Sequence, residues 1–349
     1  MKRILAVKLS PLADTILAGP TFEALREAIP QARITALVRP AAHELYEQSG
    51  WADEVMAYDP DAMEHRSFWT RIWKNDKFMN ALQKRYFDLA IDFSGSAQSA
   101  QWVTWSKAAM KAGLGLPSIK SHYDLTASVK DLPKMASIEV DRRVLSLFKI
   151  TPQSHDRSHG FWRVPEKAME YADTFWKANR FGQGDMVLAL NPFAGYASKE
   201  WYPAKWAGVI KELTANGMKL FFTCSPLQKT KLGAIEKEAG QSLPVYSSAS
   251  LLPLLGLYSK CAAVVGVDSV YRHLAAAVGT PTLTIWGPEP LGRRHPYSLD
   301  SHPMVVKMVP CRPCKLTVCV DKKHECMVAL RPEDVLKDLK QLLKRTMVV

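Results

Sequence analysis

Short apolar runs alternate with amphipathic segments along most of the chain. The first part contains four runs that favour buried strands: RILAVKL, ARITALV, DEVMAYD and FDLAIDF. Between the first two, the segment TILAGPTFEALREAI has apolar residues three and four positions apart, which predicts a helix. Regular alternation of this kind predicts a parallel sheet with helices on both faces.

The same pattern occurs twice, which predicts two domains. It pauses between residues 150 and 185 and restarts with the apolar runs MVLALNP, KLFFTC, VVGV and LTIW. We therefore expect an α/β fold with two doubly wound domains, residues 1–165 and 166–330, that face a central cleft. Residues 331–349 predict an amphipathic basic helix, with the option that it packs back on the first domain.

Composition narrows the class of protein. The 349 residues carry a net charge of +12, which indicates anionic partners. The basic residues are dispersed and no nucleic-acid motif accompanies them, so nucleic acid is the weakest candidate. No run reaches 18 apolar residues, and Lys8 and Asp14 interrupt an opening that otherwise resembles a signal peptide. We therefore expect the chain in the cytoplasm.

Four of the six cysteines lie close together. Cys224 and Cys261 stand alone beside apolar runs and are expected in the core. The spacing C-x₂-C-x₄-C-x₆-C joins the others: Cys311, Cys314, Cys319 and Cys326. Four thiolates suit a structural zinc or iron ion, with His324 as a substitute ligand. Free thiols or disulfides are the alternative.

Polar residues gather where predicted strands give way to helices. Asp14 follows the first strand, where it either supports the start of the helix or acts as a general base. Small residues, Ser198 and Lys199 follow the strand that opens the second domain, and this composition suits a phosphate. An exposed loop lysine is the alternative. Asp268 and Ser269 end the VVGV strand, where both are expected to cap the next helix.

Four segments, in order, carry a resemblance. They are LSPLAD (9–14), IDFSGSAQSA (91–100), NPFAGYASKEWYPAKW (191–206) and VVGVDSVYRHLAAAVGTPTLTIWGP (264–288). In this order they resemble the motifs of the ADP-heptose:lipopolysaccharide heptosyltransferases, glycosyltransferase family 9. The cysteine-bearing tail is similar to one found in part of that family.

This resemblance implies a GT-B fold and an inverting, metal-independent sugar transfer. The first domain would bind the acceptor, a lipopolysaccharide core of Kdo or heptose on lipid A, and the second would bind ADP-heptose. Asp14 would be the catalytic base and Lys199 would stabilise the departing diphosphate. The implied donor-binding residues are Ser198, Lys199, Gln228, Asp268, Ser269, Val270 and His273. The implied acceptor-binding residues are Ser10, Asp14, Gln98 and Lys120.

The sequence departs from the family pattern at four informative positions. Ala13 and Val270 replace glycines, and Ser94 and Gln98 replace a glutamine and a lysine. These changes keep three alternatives open: another nucleotide-sugar donor, a protein acceptor, or a catalytically inactive scaffold of the same fold.

Charge also predicts where the protein works. Lysines and arginines are spread through residues 65–85 and 106–130, which suits a phosphorylated glycolipid on an anionic surface. We therefore expect a peripheral protein on the inner face of the cytoplasmic membrane. The D-x-D pattern at Asp59–Asp61 follows a strand in a proline-containing connection, and we interpret it as a loop rather than a metal site.

Overall fold

The computed structural model describes residues 2–60, 68–132, 135–152, 160–291, 295, 297–320 and 323–346. Contacts divide the chain into two compact units, Met1–Ser154 and His155–Val349. The sequence placed the boundary at residue 165. Asp59 follows a strand, whereas Asp61 of the D-x-D pattern lies outside the described residues, as does part of the basic stretch 65–85.

The first unit is built on a six-stranded parallel sheet. Its strands are β1 (Arg3–Lys8), β2 (Arg33–Val38), β3 (Glu54–Ala57), β4 (Leu89–Asp92), β5 (Met110–Leu114) and β6 (Leu125–Ala127). Its helices are α1 (Leu12–Leu17), α2 (Gly19–Ala28), α3 (Pro40–Glu47), α4 (Phe68–Gln83), α5 (Ala97–Trp105) and α6 (Ser137–Ser146). The order across the sheet is β3-β2-β1-β4-β5-β6.

The second unit contains a sheet of the same design. Its strands are β7 (Val187–Asn191), β8 (Lys219–Cys224), β9 (Val245–Ser247), β10 (Ala263–Val267), β11 (Thr282–Trp286) and β12 (Met304–Val306). Its helices are α7 (Glu166–Ala178), α8 (Pro203–Ala215), α9 (Leu232–Ala239), α10 (Leu252–Ser259), α11 (Val270–Ala277), α12 (Glu325–Val328) and α13 (Pro332–Thr346).

Both sheets confirm the doubly wound prediction. The second has the order β12-β11-β10-β7-β8-β9, so each sheet reverses direction beside its own first strand. All strand pairs are parallel, because each strand is followed by a crossover that returns the chain to the same edge. Ligands bind such sheets at the carboxyl ends of the strands, at this point of reversal. The reversal lies between β1 and β4 in the first unit and between β7 and β10 in the second.

Burial explains why these segments become strands. β7, β10 and β11 are buried at every residue, as expected for parallel strands covered on both faces. Cys224 and Cys261 are buried, as the sequence predicted. Among the described residues, no helix is long and apolar enough to cross a membrane.

The last helix packs within the second unit. Four apolar residues on one face of α13 are buried in this unit's core: Val335, Leu339, Leu342 and Leu343. The helix contacts α8, β11 and β12. Its apolar face is therefore occupied here, whereas the sequence had allowed it to pack back on the first domain.

The first predicted helix is in fact two. α1 ends at Leu17 and α2 begins at Gly19, with Pro20 in its first turn. Proline lacks an N–H to donate and fits the start of a helix, so the chain begins a new helix here.

Candidate functional site

The carboxyl edge of the second sheet contains the best-defined polar cluster. β7 ends at Asn191, and the chain continues to a short 3₁₀-helix, Ala197–Lys199, which buries the Lys199 side chain. β10, next to β7 in the sheet, ends just before Asp268, which is also buried. Strand order therefore brings together two residues that are 69 positions apart in sequence.

Lys199 forms ion pairs with two carboxylates. Its Nζ donates to Asp268 Oδ2 at 2.8 Å and lies 3.1 Å from Glu289 Oε1. The three side chains are only 7, 6 and 12% exposed. A lysine this deeply buried needs such partners, because an isolated charge in the interior is costly. Lys199 is therefore not the exposed loop lysine that the sequence left open.

Arg272 completes the cluster from the first turns of α11. Its Nε donates to Asp268 Oδ1 at 3.0 Å, and its guanidinium lies 4.7 Å from the centre of the Trp286 ring. Its Nη1 lies 3.1 Å from His295 Nδ1. Both oxygens of Asp268 thus accept from cations, and the cluster contains two cations and two carboxylates.

The electrostatics follow from this arrangement. Burial opposes ionisation of Asp268, but Arg272 and Lys199 outweigh it and lower the pKa of this carboxyl. Burial is the main reason that the pKa of His295 falls to about 3, with the Arg272 charge acting in the same direction. His295 is therefore neutral at pH 7, and Arg272 and Lys199 supply the positive charge at this edge.

Ser269 has a different local role from the one predicted. It occupies the N-cap position of α11 but makes no capping hydrogen bond with its side chain. Its hydroxyl instead donates to Asn191 Oδ1 at 2.5 Å, and Asn191 Nδ2 donates to Thr223 O. Asn191 therefore links the ends of β7, β8 and β10. Val270 is the first residue of α11.

The remaining predicted donor residues lie around this edge. The ring of His273 is buried, and its Nδ1 lies 2.7 Å from the hydroxyl of Tyr297. Gln228 bridges two loops, since its Oε1 accepts from Ser225 N and its Nε2 donates to Ala194 O, each at 3.1 Å.

The cysteine-bearing tail supports the Lys199 loop. Ser198 donates its amide to Thr317 O and its hydroxyl to Leu316 O, and its own carbonyl lies 2.7 Å from His324 Nε2. Trp201 Nε1 donates to Met327 O at 3.1 Å. Ser198 therefore holds the loop in place through the tail, whereas the sequence assigned it to phosphate.

The four clustered cysteines are free thiols here. Cys326 is buried and Cys311 exposed, with Cys314 and Cys319 between these extremes. Burial raises the pKa of Cys326 to about 11. No group of three or more metal-ligating side chains is placed to hold a metal ion in the described part of the chain. The zinc or iron site that the spacing predicts therefore stays a prediction.

The carboxyl edge of the first sheet brings together the predicted acceptor residues. Ser10 and Asp14 follow β1, Gln98 lies at the start of α5 after β4, and Lys120 follows β5. These three strands are neighbours, and all are parallel. Asp14 lies in the first turn of α1, and no side chain caps that helix. Lys120 is exposed, and Gln98 Nε2 lies 3.4 Å from the Tyr58 hydroxyl.

A buried ion pair lies beside Asp14. Lys8, the last residue of β1, donates its Nζ to both oxygens of Asp141 on α6, at 2.7 and 2.9 Å, and to Phe93 O at 3.0 Å. Burial raises the pKa of Asp141 to about 6. Lys8 opposes this effect, and the charges of Asp14 and Asp92 add to it.

Asp92 is a second buried carboxylate at this edge. It accepts from the Ser99 hydroxyl, the Tyr123 hydroxyl and the amides of Ser94 and Gly95. Burial raises the pKa of Asp92 although these hydrogen bonds oppose the rise. The carboxylate thus fixes the turn after β4 from which Gln98 projects.

Comparison with known proteins identifies the family. The model of glycosyltransferase family 9 (heptosyltransferase) matches residues 76–325, more than half of the chain. The chain belongs to this family. That membership makes it a glycosyltransferase by class and confirms the resemblance found in the four motifs.

Family 9 relatives match over nearly the whole length. "Lipopolysaccharide heptosyltransferase 1" of Pseudomonas aeruginosa is 24% identical over 366 residues, covering 98% of each chain. The crystal structure of a family 9 glycosyl transferase from Veillonella parvula has a TM-score of 0.82 at 18% identity, covering 98% of this chain and 97% of the other. The E. coli heptosyltransferase WaaC with ADP-2-deoxy-2-fluoro heptose has a TM-score of 0.75 at 16% identity, covering 97 and 99%. These structures share the GT-B fold.

Four residues of this family 9 chain were not predicted as part of these clusters. Asn191 and Lys8 end their strands, and Arg272 lies in the first turn of α11. Glu289 was not considered, although it follows β11, a neighbour of β10 in a parallel sheet. That adjacency is a usable signal, because every strand end of such a sheet opens toward the same edge.

Proposed function

We propose that this chain is an inverting glycosyltransferase that transfers a heptose from ADP-heptose to a lipopolysaccharide core acceptor. The observation that carries the proposal is the buried Lys199 cluster at the reversal point of the second sheet. The relative from P. aeruginosa is named for this activity, and the WaaC structure contains an ADP-heptose analogue.

The donor half of the proposal rests on the second unit. A diphosphate that leaves during sugar transfer gains negative charge, and fixed cations in a buried site stabilise that charge. Lys199 is assigned this role. Asp268 accepts hydrogen bonds from both Lys199 and Arg272. It is also assigned a contact with the hydroxyls of the donor sugar.

The acceptor half rests on the first unit. Asp14 is assigned the role of general base, which removes the proton of the acceptor hydroxyl as that oxygen attacks the anomeric carbon. The C–O bond to the diphosphate breaks as the new glycosidic bond forms, and the configuration inverts. The phosphorylated acceptor is assigned to the carboxyl edge that carries Ser10, Gln98 and Lys120.

Location is part of the proposal. An acceptor built on lipid A lies in a membrane, and the net charge of +12 suits an anionic surface. We place the protein in the cytoplasm, peripheral to the inner face of the cytoplasmic membrane. Sedimentation with vesicles that contain anionic lipid, compared with neutral vesicles, tests this placement.

The first experiment is calorimetric titration with ADP, UDP, GDP and CDP. A preference for ADP is expected, because the proposed donor is an adenosine diphosphate sugar. A preference for UDP or GDP would replace the donor while keeping the enzyme class. No binding by any of the four would favour an inactive scaffold of this fold.

The second experiment tests the base. Asp14→Asn is expected to lower kcat by about 10²- to 10⁴-fold while donor affinity stays unchanged, since a positioned base contributes about that much. Asp131→Asn is the matched control, because Asp131 is an exposed aspartate of the same unit. Turnover in Asp14→Asn near that of the control would remove Asp14 as the base.

A structural zinc or iron at the four cysteines stays a prediction of the sequence. Elemental analysis of the purified chain tests it, beside a Cys311→Ser/Cys314→Ser variant. One equivalent of metal that is lost in the variant is the expected result. Metal-free protein with unchanged thermal unfolding in the variant would leave these residues as free thiols.

A further inference from the structure

Glu289 and Asp268 share Lys199, but they hold it in different ways. Asp268 sits at the junction of β10 and α11 and is fixed by a second cation, Arg272. Glu289 comes from the loop after β11. Its side chain is 12% exposed, compared with 6% for Asp268. Of the two carboxylates, Glu289 therefore has the easier route away from Lys199.

The backbone beneath Glu289 is anchored. Its carbonyl accepts from Trp286 Nε1 at 3.0 Å and from Arg312 Nη2 at 3.2 Å. Glu289 can therefore leave Lys199 by rotation of its side chain while its backbone stays in place.

Charge balance gives this contact a consequence for ligands. The charged side chains that the structure describes in this cluster, two cations and two carboxylates, balance one another and leave no net positive charge for a diphosphate. Like charges brought together in a buried place repel strongly, so a diphosphate cannot approach Lys199 easily while both carboxylates remain on it. If Glu289 moves away, the cluster keeps two cations against one carboxylate.

We propose that Glu289 occupies the position on Lys199 that the donor diphosphate takes, so that donor binding displaces this carboxylate. This inference rests on the proposed function and adds a specificity-determining residue to it. Glu289 lowers the affinity for any ligand that brings a diphosphate to Lys199. It has no such effect on a ligand without phosphate.

Glu289→Gln tests the proposal, because it keeps the shape of the side chain and removes its charge. Calorimetric titration is expected to show ADP and inorganic pyrophosphate binding about tenfold more tightly, in the range typical of charge-assisted contacts. Adenosine should bind as it does to the unchanged protein. Glu289→Ala should act in the same direction.

Two controls separate competition from other effects. In a Lys199→Ala background, Glu289→Gln should no longer change ADP affinity, because the ammonium group for which Glu289 and the diphosphate compete is absent. Glu200→Gln should have no effect, since Glu200 pairs with Lys231 rather than Lys199. Thermal unfolding of each variant shows whether it is folded.

The outcomes are distinct. ADP binding that is unchanged or weaker in folded Glu289→Gln would overturn the inference and leave the proposed function standing. Equal gains for adenosine and ADP would overturn it as well, because the effect would then be access rather than charge. Binding of ADP only by the variant would support it, and no binding by either protein would overturn both proposals.

Discussion

Among the described residues, each unit has one buried lysine near the carboxyl edge of its sheet, and the two lysines are held differently. The ammonium group of Lys8 donates to both carboxylate oxygens of Asp141 and to one backbone carbonyl, that of Phe93. Lys199 has two carboxylates, and one of them, Glu289, comes from a loop. The first ammonium has all three donors satisfied by fixed groups, whereas the second has a partner that can be exchanged.

The difference distinguishes a structural ion pair from the proposed donor site. Burial and charge are alike in the two places, so neither property identifies a site. The number of partners and the freedom of each partner distinguish them. Lys8 joins β1 to α6 through Asp141, whereas Lys199 is the lysine that we propose meets a ligand.

The largest expected change in stability comes from breaking the Lys8–Asp141 ion pair. Lys8→Met leaves Asp141 buried without its cation, which should lower the free energy of unfolding by about 3–5 kcal/mol. Urea denaturation at pH 7 measures this change. The double variant Lys8→Met/Asp141→Leu should recover most of the loss, because an apolar pair needs no desolvation of charge. If Lys8→Met is as stable as the parent, the buried Asp141 does not depend on Lys8 for its stability.

A pH series sharpens the comparison. Burial raises the pKa of Asp141 to about 6 from its ordinary value of 3.8, so the folded protein binds more protons than the unfolded chain between these values. The free energy of unfolding should therefore fall as pH rises from 4 to 6, by about 3 kcal/mol from this group. Asp268 has a lowered pKa, so its contribution is complete above pH 4 and is lost only in stronger acid.

Denaturation of the parent and of Lys8→Met/Asp141→Leu across pH 4 to 7 isolates this contribution. The difference between their unfolding free energies should change over that window and level off above pH 6. A constant difference would contradict the raised pKa of Asp141.

A smaller change in stability is expected when Lys199 is removed from its cluster with Asp268, Glu289 and Arg272. Lys199→Ala should lower the free energy of unfolding by about 1–2 kcal/mol, because Asp268 keeps Arg272. The same variant should weaken ADP binding at least about tenfold through the loss of a charge-assisted contact. Calorimetry measures the affinity.

Lys231→Ala is the matched control for this variant. Lys231 is half exposed and pairs with Glu200, so both its stability and its ADP affinity should stay near those of the parent. ADP affinity that is equal in Lys199→Ala and in this control would remove Lys199 from the phosphate site.

The sequence predicted the edge strand β3 and most internal strands, but it missed the internal strand β5 and the other three edge strands of the two sheets. The runs that became β1, β7 and β10 are long, apolar and buried, so their pattern is strong. The edge strands β6, β9 and β12 have only three residues each, too few to show a period. Chain topology, rather than local pattern, adds them to the sheets.

The candidate site was predicted in part for the same reason. Asp14, Lys199 and Asp268 lie within motifs, and their types suggest their chemistry. The partnership of Lys199 with Glu289 joins residues that are distant in sequence, and only strand order brings them together. The hydroxyl and amide of Ser198 bond to the tail, which no local pattern could indicate, and its predicted contact with phosphate stays a prediction.

Support of the Lys199 loop by the tail has a consequence for biosynthesis. The residues that bond to this loop, Leu316, Thr317, His324 and Met327, leave the ribosome 118 to 126 positions after their partners in the loop. The strands of the first unit are complete by residue 127 and can pair while the second unit is still being translated. The loop that carries Lys199 therefore gains these supporting hydrogen bonds long after it has itself been translated. A nascent chain that ends before residue 316 can pair the strands of its first sheet but lacks the hydrogen bonds that support the Lys199 loop.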